Sequence, residues 1–167
     1  MKKVFHFDSP REGYQADAAV VWCFDHRFEL SFRKFLKRIG VERFDAIKIA
    51  GGAKTLSSPS SEAERQIVLD QIRASIRLHE TRRVILMVHS DCGGYGGLAA
   101  FDNDPVAEAG HHRDELYRAA EVVRQAIPGI PVDAFFIDFT SVWQAELEPA
   151  AEAERGASLG TRGIAGP

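Results

Sequence analysis

The chain of 167 residues lacks the features that mark secreted, membrane-bound and nucleic-acid-binding proteins. It has only two cysteines, Cys23 and Cys92, which are too few for a disulfide framework. Its formal charge is −3 and its sequence pI is about 6.1, so no basic field attracts nucleic acid or an anionic membrane surface. No apolar run reaches the ~20 residues of a membrane span or forms a signal sequence. We therefore expect a cytoplasmic protein with no nucleic-acid partner and no membrane partner.

The composition is that of one globular domain. Hydrophobic residues make up 45% of the chain and charged residues 27%, which is enough apolar material for one core. The exception is the stretch from residue 148 onward, which is rich in Ala, Glu and Gly and contains no aromatic residue. We expect one domain over residues 1–147 and a flexible C-terminal tail over residues 148–167.

Strand-like and helix-like patterns alternate along the chain. The predicted strands are residues 18–24, 44–50, 84–88 and 132–139, with a weaker edge strand at 3–7. The predicted helices are residues 28–39, a segment that begins after a capping box at Ser61 and Glu64, and residues 108–127, while residues 55–61 are a loop and 98–104 a short helical turn. Strand and helix in alternation predict an α/β fold, with a mostly parallel sheet of four to five strands flanked by helices.

Two of the strands, 18–24 and 84–88, are apolar throughout, which is typical of central strands covered on both faces. If they are parallel neighbours, their carboxyl ends bring Cys23 close to His89 and Cys92. Two thiolates and one imidazole, with a fourth position open, are the donor set of a catalytic zinc ion. The sequence therefore predicts a Zn²⁺ site at Cys23, His89 and Cys92, although buried cysteines can also be simple core residues.

Asp25 and Arg27 follow Cys23 at alternate positions. The Asp25 carboxylate is of the right type to become a fourth ligand and so close the site. Arg27 carries a planar fork of donors that can hold the same carboxylate away from the metal. The two residues together predict a gate, in which Asp25 closes the metal site when it binds the metal and leaves it open when Arg27 holds it away.

These residues resemble the two motifs of the β-class carbonic anhydrases. The first is Cys-x-Asp-x-Arg at Cys23, Asp25 and Arg27, and the second is His-x-x-Cys-Gly from His89 to Gly93. The similarity extends from about residue 18 to about residue 142. Between the motifs, residues 48–52 keep only the Ala-Gly of the family's Arg-Asn-Ala-Gly-Asn.

The resemblance implies a β-carbonic-anhydrase-like fold and a carbonate dehydratase, which is a lyase. Such an enzyme hydrates carbon dioxide reversibly to bicarbonate by a zinc-bound hydroxide, with Asp25 and Arg27 as catalytic residues. It also implies a homodimer or a dimer of dimers. Two alternatives stay open: a non-catalytic zinc-binding relative, and a hydrolase of a carbon dioxide analogue such as carbonyl sulfide or carbon disulfide.

The other histidines and the glycine-rich loop allow several interpretations. His26 can relay protons or simply form part of the wall of the site. His111 and His112 are interpreted as a surface helix turn rather than a second metal site, and His79 also as a surface residue. Asp91 is interpreted as an acceptor that fixes its loop. The loop at residues 93–97 can also be an anion cradle, but it lacks the spacing of a phosphate-binding loop.

Overall fold

The computed structural model describes residues 1–147. The strands are β1 (Ala18–Trp22), β2 (Phe44–Lys48), β3 (Val84–His89), β4 (Val132–Ile137) and β5 (Val142–Gln144). The helices are α1 (Glu29–Arg38), α2 (Lys54–Ser57), α3 (Glu62–His79) and α4 (Pro105–Ala126), and three short 3₁₀ turns lie at His26–Phe28, Gly93–Tyr95 and Leu98–Phe101.

The five strands form one sheet in the order β2-β1-β3-β4-β5. The first four strands along the chain are parallel, and only β5 runs antiparallel, against β4. The predicted mostly parallel sheet flanked by helices is therefore confirmed. Every residue of β1 and β3 is buried, and the two strands pair with each other, with Ala19 opposite Val84. The two most apolar runs are thus neighbours, as expected from their composition.

Helices cover both faces of this sheet, and the alternation of side chains along β1 decides which residue meets which layer. Trp22 belongs to the cluster on the α1 side, where its ring stacks on Phe32 with centroids 5.0 Å apart. Val21 belongs to the opposite cluster, with residues of α2, α3 and α4 that include Ile72 and Leu116. Both layers leave the carboxyl ends of β1 and β3 free for the chain segments that follow them.

Two local expectations were wrong, and one strand was missed. Residues 3–7 form no strand, and the rings of Phe5 and Phe7 in that segment are exposed. The predicted loop at residues 55–61 overlaps α2, which begins after a turn in which Gly51 and Gly52 both have positive φ. The three-residue strand β5 was not predicted, because it is too short to show a polarity pattern.

The remaining expectations concern the ends and the location of the chain. The predicted flexible tail at residues 148–167 lies outside the described residues. Within residues 1–147, no helix combines the length and the apolar character needed to cross a bilayer. A cytoplasmic location stays a prediction.

Candidate metal centre

Three side chains with metal-binding atoms converge at the carboxyl ends of β1 and β3. Cys23 directly follows β1, His89 is the last residue of β3, and Cys92 lies three residues later. All three are buried, and their ligand atoms lie within 4.8 Å of one another. The two Sγ atoms are 3.9 Å apart. Two sulfurs bound at about 2.3 Å to one tetrahedral ion would be about 3.8 Å apart, so the pair already has the spacing that zinc requires.

The ring of His89 presents a free nitrogen to this cluster. Its Nδ1 lies 2.8 Å from the backbone oxygen of Ser90, to which it donates. Within the described part of the chain, its Nε2 is buried and has no hydrogen-bond partner. An unpaired buried polar atom is unfavourable, and a metal-bound histidine commonly donates its other ring N–H to a carbonyl. Trp22 and Phe28 pack against the ring, with centroids 5.5 and 4.7 Å away, and fix its orientation.

The two thiols cannot both ionise easily. The pKa of Cys23 is lowered, chiefly because the Cys92 thiol donates a hydrogen bond to its sulfur, and backbone N–H groups add to the effect. The pKa of Cys92 is raised, because its proton is held in that hydrogen bond and a second negative charge would form beside the first in a buried site. A cation between the sulfurs would remove that obstacle. The donor set therefore fits a soft divalent metal such as zinc.

Glycines let the backbone approach these sulfurs closely. The Gly51 amide acts on both cysteines, and the Gly94 amide on Cys92, as hydrogen-bond donors that favour the thiolates. A Cβ on Gly94 would lie 2.7 Å from the Gly51 nitrogen. A Cβ on Gly52, whose φ is +56°, would lie 2.4 Å from the Met87 oxygen. The Gly-rich segments after β2 and β3 are therefore packed against each other beneath the site, rather than arranged as an open anion cradle.

Asp25 lies beside the cluster, and Arg27 holds its carboxylate. Arg27 donates from Nε to both Asp25 oxygens at 3.1 and 3.0 Å and from Nη2 to Oδ2 at 2.7 Å, and its backbone N–H bonds Oδ1 at 2.9 Å. These contacts lower the pKa of Asp25 to about 2 and raise that of Arg27. Asp25 Oδ2 is 4.0 Å from His89 Nε2, and Asp25 stands outside the group of converging ligands. The structure thus shows the carboxylate in its arginine-bound position.

Asp91 and Glu108 extend this arrangement. Asp91 Oδ2 accepts from Arg27 Nη1 at 2.8 Å, and Asp91 Oδ1 accepts from the Leu98 amide at 3.0 Å, which agrees with its interpretation as a loop-fixing acceptor. Glu108 was missed by the sequence analysis. Its side chain is buried, and Oε1 accepts from the Asp91 amide at 2.7 Å. The spacing of Glu108, His112 and Glu115, which places all three on the apolar face of α4, was a signal that could have revealed it.

The histidines outside the cluster divide into exposed and buried ones. His26 and His111 are exposed. His112 is fully buried, so its assignment to the surface was wrong; burial lowers its pKa to about 4. His79 is half-buried and its Nδ1 lies 2.7 Å from Asp45 Oδ2, so it too is more than a surface residue. Neither belongs to a group of three ligand-type side chains in residues 1–147.

Aromatic rings border the open side of the site. Phe28 and Phe139 lie with centroids 5.1 Å apart, and the Arg27 guanidinium is 5.8 and 5.7 Å from the two rings. The ring of Phe139 is 64% exposed. The large groove of about 540 Å³ lies elsewhere, between α4 and the strands β4 and β5, and contains none of the three cluster residues.

Comparisons with known proteins agree with these features. A family model described as "Putative carbonic anhydrase" matches residues 14–147. An uncharacterized protein of Rickettsia conorii is 23% identical over 131 residues, which are 77% of this chain and 70% of that protein.

Among solved structures, the chain is similar to β-carbonic anhydrase isoform I of Trichomonas vaginalis, with a TM-score of 0.56 and 19% identity over 84% of this chain and 87% of that one. It is also similar to the apo form of a carbon disulfide hydrolase, with a TM-score of 0.50 and 14% identity over 80% of this chain and 81% of that one. At these identities the structural likeness establishes the fold alone.

Proposed function

The chain belongs to the carbonic anhydrase family whose model it matches, and on that premise we propose that it catalyses the zinc-dependent, reversible hydration of carbon dioxide to bicarbonate. The resemblance that the two motifs indicated is thereby confirmed. The observation that carries the proposal is the buried cluster of Cys23, His89 and Cys92, in which His89 Nε2 has no partner from residues 1–147, beside a carboxylate held by Arg27.

We assign the metal to Cys23 Sγ, His89 Nε2 and Cys92 Sγ. A zinc ion bound there would supply Lewis acidity and lower the pKa of a water molecule to about 7. The protein contributes a carbonyl at Ser90, which holds the His89 ring in the tautomer that leaves Nε2 free. It also contributes the Gly51 and Gly94 amides, which stabilise the negative charge on the sulfurs. Three protein ligands leave one position for a small reactant, as in catalytic zinc sites.

Asp25 and Arg27 are assigned to orient the reacting water. With a pKa near 2, the Asp25 carboxylate is ionised at neutral pH and can accept a hydrogen bond from a water beside His89. Arg27 keeps that carboxylate charged and directed, since its Nε and Nη2 donors are aligned on both oxygens. Phe28 supplies an apolar wall against the site, which suits a linear, uncharged substrate. The release of Asp25 from Arg27 toward the ligands is the closing movement of the proposed gate.

Two other outcomes follow from the same site. A hydrolase of carbonyl sulfide or carbon disulfide would use the same ligands, and the fold shared with a carbon disulfide hydrolase supports that candidate. A non-catalytic relative would keep the metal without turnover.

We also propose a homodimer or a dimer of dimers, because the aromatic side chains of Phe24 and Phe139 are exposed near the site and a second copy would cover them. Analytical ultracentrifugation tests the assembly, and a monomer at micromolar concentration would contradict it.

The experiment that tests the function combines metal analysis with rapid kinetics. Protein purified without chelator should contain about one zinc per chain by mass spectrometry of the metals. Stopped-flow assays with carbon dioxide, carbonyl sulfide and carbon disulfide then compare three substrates on the same sample. Faster turnover of carbon dioxide supports the proposal, and faster turnover of a sulfur analogue would replace it. Folded protein without metal after zinc supplementation would contradict every zinc assignment.

A further inference from the structure

We propose that Glu108 is a positioning residue for this site, acting on Asp25 through Asp91 and Arg27. Each link is a direct hydrogen bond, and the chain of contacts runs from α4 through the loop after β3 to the turn after β1. The inference rests on the proposed function only for the importance of Asp25. The order of the contacts themselves can be tested without any activity measurement.

Glu108 is placed where a carboxyl group needs a specific partner. Its side chain is 1% exposed, although it lies in the first turn of a 22-residue helix. Its backbone amide bonds the Asp104 oxygen at 3.0 Å, so the start of the helix fixes the side chain's origin. Its Oε1 accepts the Asp91 amide at 2.7 Å. A buried carboxyl group that served packing alone would be unfavourable, since burial of an unpaired polar group costs free energy.

Asp91 depends on these contacts because its backbone is left-handed. Its φ is +52°, a conformation that is uncommon for residues with a side chain, although aspartate adopts it more readily than most. Glu108 accepts from its amide, and its Oδ1 accepts from the Leu98 amide, so the residue is fixed at both backbone and side chain. Without the carboxyl of Glu108, one of these two restraints disappears. The loop would then be free to leave the left-handed conformation.

If Asp91 changed its conformation, Arg27 would lose the acceptors that hold the side of its guanidinium away from Asp25. Two acceptors of Asp91 face the guanidinium: Oδ2 at 2.8 Å from Nη1 and the backbone oxygen at 2.9 Å from Nη2. Nε and Nη2, which carries a second hydrogen, hold Asp25. The planar guanidinium of Arg27 is therefore fixed by Asp91 on one side and by Asp25 on the other. Without the Asp91 contacts, the guanidinium could rotate together with the Asp25 carboxylate that it binds. Glu108 thus sets the direction of the Asp25 carboxylate from a distance.

His112 lies next to Glu108 but is not hydrogen-bonded to it. Its ring is fully buried one turn further along α4, with Nε2 3.6 Å from Glu108 Oε1, beyond hydrogen-bond distance. The ring packs against Tyr95 and Phe136, with centroids 4.5 and 5.4 Å away. The direct contact that directs Glu108 toward the site is therefore the Asp91 amide.

The test compares three replacements of Glu108 with a control on the same helix. Glu108→Gln keeps an oxygen acceptor, Glu108→Asp keeps a carboxyl but withdraws it by one methylene, and Glu108→Met has a similar length without an oxygen. Val123→Ala is the control, because Val123 is buried in α4 within the core cluster and not in this chain of contacts. The full-length protein, as purified with its metal, is labelled with ¹⁵N.

The readout is the Arg27 Nε–H resonance and its rate of exchange with water. We expect Glu108→Met to raise that rate by roughly tenfold or more, as for the loss of a charge-assisted hydrogen bond, with metal content unchanged. Glu108→Asp should give a smaller increase. Glu108→Gln and Val123→Ala should stay near wild type, even if Val123→Ala is as destabilised as Glu108→Met. A role in stability alone would affect the control and the Met variant equally.

Two results would overturn the inference. One is an unchanged Arg27 Nε–H exchange rate in folded Glu108→Met. The other, which applies if that variant does not fold, is an unchanged rate in Glu108→Asp. If wild-type protein hydrates no carbon dioxide, the proposed function fails, but the exchange rates still decide whether Glu108 positions Arg27.

Discussion

The two ends of the parallel sheet both carry acidic and imidazole side chains that are partly or fully buried, but the polar atoms at the two ends differ in their hydrogen bonding. At the amino end, Asp45 accepts from Tyr14 Oη at 2.7 Å and from Ser75 Oγ at 2.6 Å, and it lies 2.7 Å from His79 Nδ1. At the carboxyl end, His89 Nε2 has no partner among residues 1–147. The first cluster is complete within the chain, and the second needs something added.

This difference separates a stabilising cluster from a binding site without reference to residue type. A polar group whose partners all belong to the protein gains nothing from an added ligand, and its removal lowers the free energy of unfolding. The buried His89 Nε2 lies beside two sulfurs, and no group in residues 1–147 donates a hydrogen bond to it. A bound cation would therefore stabilise it strongly. Substitutions at the two ends should therefore change different quantities.

The largest effect is expected for Cys92→Ser. Replacement of a thiolate by a hydroxyl removes one of the three ligands, so the metal should fall from about one ion per chain to nearly none and the turnover by at least about 1,000-fold. Metal mass spectrometry and stopped-flow hydration measure both. Ser75→Ala at the amino end is the matched control and should keep its metal. Retention of tightly bound metal by the Cys92 variant would break the comparison.

Arg27→Ala comes next, since it changes the clamp and leaves the three ligands in place. Without the guanidinium, the Asp25 pKa should rise from about 2 toward its usual value near 4, and the carboxylate should lose its direction. We expect wild-type metal content, a turnover lower by about 10- to 100-fold, and an acid limb of the pH–rate profile that begins at higher pH.

Arg27→Lys serves as the conservative comparison for this prediction. The lysine side chain keeps the positive charge but lacks the planar guanidinium. It should therefore keep the pKa of Asp25 low but fail to fix the orientation of the Asp25 carboxylate. Full activity of Arg27→Ala across the whole pH range would rule out the gate.

Asp45→Ala tests the amino end. The substitution leaves the polar groups of Tyr14, Ser75 and His79 without their shared acceptor, so the free energy of unfolding should fall by about 2–3 kcal/mol. Urea titration measures this loss. Metal content should remain at about one ion per chain, and a drop in metal would mean that the two ends are not independent.

The sequence predicted that Cys23, His89 and Cys92 lie close together, because the cause of their convergence is simple. Residues 18–24 and 84–88 are the most apolar runs, such runs form central strands, and the ends of neighbouring parallel strands are close together. The structure shows β1 paired with β3 and the atoms of Cys23, His89 and Cys92 converging. The apolar pattern predicted this convergence, whereas zinc was predicted from the donor set and stays a prediction.

The parts that the sequence did not predict depend on contacts between distant segments. His112 lies at helical spacing from the apolar residues of α4, but its polar ring favoured an assignment to the surface, and its contact with Tyr95 depends on how the loop after β3 packs on α4. Glu108 looks like an ordinary acidic residue in a first helical turn, where the helix dipole favours negative charge. The segment at residues 3–7 alternates in polarity but pairs with no strand. Local sequence patterns therefore predicted the structure correctly only where the residues concerned are also buried as the pattern requires.

The smallest predicted effect concerns His112, the second buried imidazole near the carboxyl end. Burial lowers its pKa to about 4, against about 6.5 in an unfolded chain, so the unfolded state takes up a proton first as pH falls. Its contribution to stability is therefore present above pH 6.5 and is lost between pH 6.5 and 4. Between pH 7 and pH 5 this loss amounts to about 2 kcal/mol.

His112→Phe keeps an aromatic ring against Tyr95 and Phe136 but has no group to protonate. Its unfolding free energy, measured in urea at pH 7, 6 and 5, should change less with pH than that of wild type by that amount. A constant difference between the two proteins at all three pH values would mean that His112 keeps its ordinary pKa. The imidazole nitrogens at this end of the sheet, which have no hydrogen-bond partner among residues 1–147, would then have to be reached by water, which would remove the contrast with the amino end.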